Sequence, residues 1–456
     1  MSGVIVNEDV VVRSTDDQAS TIYPSGVRPW LLLLLLTLLF VLSFVDRNMM
    51  RSMVDPIRAS LGISDVQISL LEGAAFAVLY SIACLPMGYA ADRLSRRSLL
   101  GIGVIGWSAM TMLSGFANSY WMLFLSRTGL GVGEATLQPC AMSMIRDSFP
   151  PKRRAWPLAI YTTAPLVGSA LALIVGGALY GLAVSGGTRG IPVLGALEPW
   201  QFALATPGIF GVALGAAVFL FREPRRVHAA TESDASGFGD SLRHMRAHAG
   251  LYLLVFGAAI LWSLANTGWS AWLAPAIERQ RHLSPEVVGP MAGTIALVCA
   301  AIGSLGAGLL LDRRGAAGDR DAILKVSIGL QVLQTVPAVA MFLMPTTTGL
   351  WICLALANLL IGSMPIAAFA IITEITPGRH IGKTVAIFNL AQNFLGQTIG
   401  SSVFAFVGER MIGGRLGIVW AIVDCYPVIM VLSLVLAAAL MRQRRRAFET
   451  GAIIQA

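Results

Sequence analysis

The chain has 456 residues, 55% hydrophobic and 13% charged, with mean hydropathy +0.71 and formal net charge +8. Soluble domains carry about 25% charged residues, so the composition excludes a soluble protein and describes a polytopic helical membrane protein. The positive charge does not point to nucleic acid, because about 22 of the 33 Lys and Arg residues gather in alternate short loops.

The polar stretch at 1–29 contains Asp9, Asp16 and Asp17 and lacks both a basic n-region and a small-residue cleavage site. It reads as a cytoplasmic tail rather than a signal peptide. Spans of about 20 apolar residues are expected at 30–54, 67–91, 98–118, 121–146, 156–184, 201–221, 251–278, 286–311, 323–344, 349–373, 382–408 and 417–441. The hydrophilic linker at 222–250 divides them into six-helix bundles at 30–221 and 251–441, with a tail at 442–456. Within the linker, Gly239–His248 is amphipathic and suits a short interfacial helix. The basic loops are those at 93–97, 152–154, 222–246, 313–325, 379–383 and 442–446, whereas the opposite loops hold about seven cations. By the positive-inside rule both tails and the linker are cytoplasmic. Short loops and the absence of an organelle signal favour a bacterial inner membrane.

The first span carries the most expensive feature. Asp46 and Arg47 follow the uncharged run Trp30–Val45, and each charge at a helix centre costs roughly 2.5–3.5 kcal/mol by insertion scales. Intramembrane charge marks a polar site on a substrate or proton pathway. The second span ends in Gly88-Tyr-Ala-Ala-Asp92-Arg93, followed by Arg96 and Arg97. Here Gly88 permits close helix approach, Asp92 suits a facing helix N-terminus, and the arginines suit lipid phosphates or Asp147. The alternative is a generic basic turn.

In the fourth span Arg127, Gly131, Glu134 and Gln138 recur on one helical face. Arg127 and Glu134 are about 10 Å apart along the axis, too far to pair directly, so Asp46 and Arg47 are their expected partners. Burial and nearby charge act in opposite directions on a carboxylate, so small rearrangements could switch Asp46 or Glu134 between charged and neutral. A static salt-bridge network is the alternative. The span ends at Asp147, followed by Arg153. In the fifth span Thr162, Thr163 and Pro165 precede Gly168 and Gly176-Gly177; gating and ordinary close packing are equally good readings of them.

The second half repeats the first. Gly308-Leu-Leu-Leu-Asp312-Arg313 follows the Gly88 motif by about 220 residues, and Glu374-Ile-Thr-Pro-Gly-Arg379 echoes the end of the fourth span. Duplicated six-helix halves are a transporter architecture with the site near the midplane. The seventh span offers Trp262, Asn266 and Trp269, and the eleventh Asn389, Gln392, Asn393 and Gln397. Charge on one wall and aromatic or amide groups on the other suit an amphiphile, although both tryptophans also fit a packing role. Asp424 reads as interfacial. The five cysteines lack metal-ligand spacing, no phosphate-binding Gly-x-x-x-x-Gly-Lys-Ser/Thr is present, and neither a metal, a cofactor nor an enzymatic centre is expected.

The loop at 88–97 resembles the signature loop of the major facilitator superfamily. Together with Phe-Val-Asp46-Arg47-Asn, Gly106-Trp107-Ser108 and Arg127-Thr-Gly-Leu-Gly131-Val-Gly133-Glu134-Ala135, it looks like the Spinster branch. The likeness is dense from about residue 40 to 170 and supports only the superfamily fold thereafter. The resemblance implies twelve helices in two pseudo-symmetric bundles, and transport of lysophospholipids or sphingoid phosphates with protons. It further implies that Asp46 and Glu134 couple protons while Arg47 and Arg127 hold the network and the anionic headgroup. Gln138, Thr162, Trp262, Asn266, Trp269, Asn389 and Asn393 complete the expected substrate wall. Gly88, Asp92, Arg93, Arg96, Arg97, Asp147, Arg153, Asp312 and Arg313 form the expected gate. The partners are then an anionic amphiphile, protons and membrane lipids, with no obligate protein partner. The competing readings are a carrier for a small organic anion or drug, and a lipid sensor or passive scramblase that transports nothing actively.

Overall fold

The computed structural model describes residues 23–24, 26–188, 190–226, 238–316, 321–361 and 364–449, all in helices, turns or irregular links. Parts of the expected tails and linker, at 1–22, 227–237 and 450–456, lie outside the described residues, as do the side chains of Asp312, Arg379 and Gln397.

Helix α1, Arg28–Asn48, starts with Pro29 in its first turn and tightens into a 3-10 turn at Met49–Ser52. Its missing N–H makes Pro favourable there. A short α2, Val54–Leu61, stops at Gly62, whose φ of 64° is left-handed and favours glycine. A Ser64–Gln67 capping box then opens α3, Asp65–Glu72, and after a break at Gly73 the chain continues as α4, Ala74–Arg93. The first half is completed by α5 (Arg96–Gly115), α6 (Tyr120–Glu134), α7 (Leu137–Ser148), α8 (Ala155–Thr162), α9 (Ala164–Val184) and α10 (Pro199–Val218).

The amphipathic linker stretch is helical as α11, Phe238–Ala247. The second half comprises α12 (Ala249–Arg281), α13 (Pro285–Ala316), α14 (Ala322–Leu343), α15 (Thr347–Leu359), α16 (Met364–Ile375) and α17 (Gly378–Ala391). A π-helical segment at Gln392–Thr398 leads into α18, Ile399–Phe406, and a second at Val407–Ile412 precedes α19, Gly417–Glu449.

Ten of the resulting spans are long and apolar enough by themselves to cross a membrane. The other two are 120–148 and 378–412, bringing the fold to twelve spans in two six-helix bundles. Neither is the unbroken helix expected from the sequence. Pro139 has no N–H to continue the ladder, and α6 gives way to α7 just before it. The eleventh span widens into π turns, a form concentrated at functional sites. Pro165 likewise accompanies the break between α8 and α9.

The two faces of the molecule differ. On the face opposite the basic loops one apolar cluster runs through both halves, joining Met49, Met53 and Ile57 to Trp272, Ile277 and Val288. Toward the basic face the core divides into separate clusters, one per half. Close approach of α9 and α13 closes the first face: a Cβ on Gly177 would stand 2.7 Å from the Pro285 carbonyl oxygen and from Pro290. Only glycine allows that spacing. On the basic face Leu85 and Leu305 are 82% and 71% exposed, and space is open around Gly88 and Gly308. The halves are therefore sealed on one face and parted on the other.

Candidate functional site

Asp46 lies at the last turn of α1 and is only 2% exposed. Its carboxylate faces Thr111 and Trp107 of α5, the two donors nearest it, but neither oxygen has a hydrogen bond of full geometry. Arg47, one residue on, points a different way. Its Nη2 donates to Glu134 Oε2 at 2.6 Å, and Ser43 Oγ donates to the same oxygen at 2.8 Å. The Arg47 guanidinium lies over the Phe76 ring at 4.0 Å, with Phe44 and Tyr80 flanking it. Such stacking holds a cation in a weakly hydrated site.

Arg127 departs from the expected charge exchange. Its Nη1 and Nη2 donate to the main-chain carbonyls of Asp46 and Arg47, at 2.8 and 2.6 Å, rather than to the Asp46 carboxylate. Those carbonyls belong to the end of α1, where the last C=O groups run short of N–H donors, and a planar five-donor fork can satisfy two at once. The expected quartet is thus brought together, but with one Arg–acid pair, one Arg–backbone clamp and one bare carboxylate.

A cleft between the halves opens beside this cluster, lined by Arg47, Arg51, Glu72, Tyr80, Thr267 and Asn393 among others. Arg51 and Glu72 form an ion pair at 3.6 Å, and Arg51 also donates to Ser270 Oγ in the second half. Sequence reasoning counted Arg51 among the cations of the opposite loops, although the expected span 30–54 contains it, and passed over Glu72. The available signal was spacing: Arg51 follows Arg47 by one helical turn. Of the second-half candidates, Asn393 reaches the cleft. Asn389 is half-buried and its carbonyl accepts from Asn393.

Three other candidates are engaged inside the second half. Trp269 donates Nε1 to the Ala338 carbonyl and packs in the core. Asn266 donates to the Trp262 carbonyl and accepts from Gln334. Trp262 is half-buried against the same core. These residues knit α12 to α14, as the packing alternative requires. Thr162 is exposed and returns its hydroxyl to the Ala159 carbonyl. Gln138 is half-buried, beyond the α6–α7 break that takes it out of register with Arg127 and Glu134.

At the basic face Arg96 is buried and binds Asp147 at 2.5 Å and Glu223 at 2.9 Å. Glu223 lies outside the spans. Burial raises its carboxyl, but hydrogen bonds from Arg96 and Ser95 outweigh burial and hold it below the ordinary value. The second half ties corresponding helix ends with the charges exchanged: Arg444 of α19 binds Asp321 at 2.8 Å and Glu374 bidentately. Asp92 is exposed, Arg93 stacks on Tyr89, and Arg97 reaches the Phe221 carbonyl. Arg153 and Arg313 are exposed.

On the sealed face a latch escaped the sequence reading. Arg279 of α12 binds Asp55 and Asp65 of the first half, each at 2.7 Å, and Glu409 accepts from the Val66 N–H at 2.9 Å. Ser69 and Ser402 add a hydroxyl contact at 3.2 Å. Glu278, beside Arg279, is 5% exposed with one unpartnered oxygen.

The sequence matches the model of the Major Facilitator Superfamily over residues 36–401. It is 29% identical over 294 residues to an MFS-type efflux pump of Mycolicibacterium smegmatis, covering 63% of each chain. It is also 29% identical over 189 residues to the sphingosine-1-phosphate transporter SPNS2 of Danio rerio, covering 41% of this chain and 34% of that one. The chain thus spans less than two thirds of either relative. Among solved structures it resembles a bacterial homologue of the human lysosomal transporter Spinster in an inward-facing, unoccupied conformation. The TM-score is 0.75 at 26% identity, covering 94% of this chain and 99% of that one.

Proposed function

The chain belongs to the Major Facilitator Superfamily, and from that premise we propose that it is a proton-coupled carrier for a lysophospholipid-like or sphingoid-phosphate-like amphiphile. The matched relatives are transporters, not enzymes, and the multi-pass fold is that of a secondary transporter. Coupling rests on one observation: Asp46 is buried beside an arginine-rich cluster with both carboxylate oxygens unpartnered. Such a group can accept a proton without breaking a hydrogen bond. Glu134, held by Arg47 and Ser43, is the second coupling carboxylate.

The basic face is the cytoplasmic side of a bacterial inner membrane in this reading, which makes the present state inward-open. An anionic headgroup entering the cleft meets Arg47 and Arg51, while its chain lies along the apolar walls. Arg47 would then exchange Glu134 for the headgroup, freeing Glu134 to bind a proton. A ligand shifts an equilibrium only by binding its states differently, and this exchange supplies the difference. The D. rerio relative, named as a sphingosine-1-phosphate transporter, supports the substrate class.

The test is uptake of lysophospholipids of graded chain length into proteoliposomes, with and without a pH gradient. The reading requires uptake that rises with chain length and with the gradient. A small-organic-anion or drug carrier remains the second reading, favoured by the charged and amide side chains among the cleft lining and by the M. smegmatis efflux pump. Uptake indifferent to chain length would select it.

A further inference from the structure

A groove on the basic face, remote from the central cleft, carries features of a ligand site. It lies between the start of α1 and the segment after α10, lined by Arg28, Leu32, Ser148, Leu220, Arg222 and Arg225 with their neighbours. Arg28, Arg222 and Arg225 are exposed, and among the described residues none makes an ion pair or side-chain hydrogen bond. Glu223 also borders the groove, but its carboxylate is taken by Arg96 and Ser95. Among the described residues, three cations therefore line the groove with no acid free to neutralise them.

Two further observations give the groove direction. The N-terminus of α1 opens into it with no side-chain cap, and the positive end of a helix dipole favours an anion there. Below the arginines the wall turns apolar. Leu220 is 84% exposed, and it lines the groove together with Phe221 and with Pro29 and Leu32 of α1. Cation above and apolar surface below is the profile of an amphiphile lying at the membrane boundary, with its phosphate up and its chain down.

We propose that this groove binds the phosphate of an anionic membrane phospholipid, held by Arg28, Arg222 and Arg225, at a site separate from the transport cleft. The chemistry recognised is a phosphate ester, and the apolar wall assigns it to a lipid rather than to free phosphate. This site is independent of which substrate the carrier moves. Basic residues near a membrane surface each contribute about a fivefold gain in affinity for anionic lipid, so all three together give about a hundredfold.

The experiment is native mass spectrometry of the full chain titrated with dioleoyl-phosphatidylglycerol, dioleoyl-phosphatidylcholine and inorganic phosphate. The expected result is preferential retention of phosphatidylglycerol. It weakens about a hundredfold in the triple variant Arg28→Gln, Arg222→Gln, Arg225→Gln and about fivefold in Arg222→Gln alone, which serves if the triple variant fails to fold. A control removing the same formal charge elsewhere, Arg243→Gln, Arg246→Gln, Arg442→Gln, keeps wild-type retention. Equal binding of the two lipids, unchanged binding in Arg222→Gln, or equal weakening in the control overturns the site. Inorganic phosphate that binds as tightly as phosphatidylglycerol and displaces it overturns the lipid assignment.

Discussion

Arg127 holds Asp46 by its backbone: Nη1 of the guanidinium stands 2.8 Å from the Asp46 carbonyl, while the Asp46 carboxylate has no hydrogen bond. The end of α1 is thereby fixed by a side chain from α6, and the acid is left free to change protonation. Lysine cannot reproduce a two-carbonyl fork. Arg127→Lys is expected to retain charge but lose one of the two bonds, costing about 1.5–3 kcal/mol and at least tenfold in transport. Thermal unfolding in detergent, read beside proteoliposome uptake, checks both parts; full activity in the lysine variant refutes the clamp.

The two carboxylates predict different failures. Asp46→Asn keeps the shape of a group that no hydrogen bond of full geometry holds, so the fold should survive while uptake stops responding to the pH gradient. Glu134→Gln also removes the Arg47 partner, so it should alter substrate affinity as well as coupling. Substrate binding measured alongside gradient-driven uptake separates the two variants. Identical binding and coupling defects would show that the carboxylates act as one structural unit.

Arg279 bridges to two acids of the other half on the sealed face, with its own side chain only 5% exposed. Asp55 is 34% exposed and both acids also pair with Arg58, at 3.6 and 3.1 Å, so losing Arg279 leaves neither acid unpaired and costs about 1.5–3 kcal/mol. The bonds from Arg279 exist only while that face is closed, and the acids can hydrate once it opens. Arg279→Ala should therefore shift the equilibrium toward opening there by about tenfold or more. Alkylation of a cysteine introduced as Ser69→Cys would report it; an unchanged rate means that apolar packing alone keeps the face shut.

The gate reading assigns Asp92 to the other state. It is exposed here, with the basic face parted. Asp92→Asn should leave this conformation intact and weaken the one in which the halves meet, raising alkylation of Leu305→Cys on that side. Equal alkylation with and without the substitution would remove Asp92 from the gate.

Local chemistry was the legible part of this chain. Hydropathy, loop charge and the Gly88/Gly308 repeat lead to twelve spans in two halves, and the costly charges at 46, 47, 127 and 134 lead to the cluster. Pairing was not legible, because it depends on rotamers and on packing between distant helices. Nothing in the spacing says that Arg127 takes carbonyls rather than Asp46, or that Trp269 spends its N–H on Ala338. Nothing local ties Arg279 to Asp55 and Asp65, because they lie more than 200 residues away from it. Glu374 could be found as the repeat of Asp147, but Arg444 could not, since the second half moves the cation to a different helix end.

Glu223 offers a pH test outside the membrane. Burial would raise its carboxyl, yet the bonds from Arg96 and Ser95 hold it below the ordinary 4.5. A carboxylate depressed on folding stabilises the protein above its unfolded value and loses that contribution as pH falls through the folded value. Part of the acid-side loss of stability therefore belongs to this group, at pH below about 4.5. Glu223→Gln should remove about 1 kcal/mol at neutral pH, modest because the side chain is 23% exposed. The same variant should flatten the decline between about pH 5 and pH 3. Unfolding midpoints collected across that range in wild type and variant decide the matter: parallel curves would mean that Arg96 gains nothing from the charge on Glu223 and is held by Asp147, Ser143 and the Pro224 carbonyl.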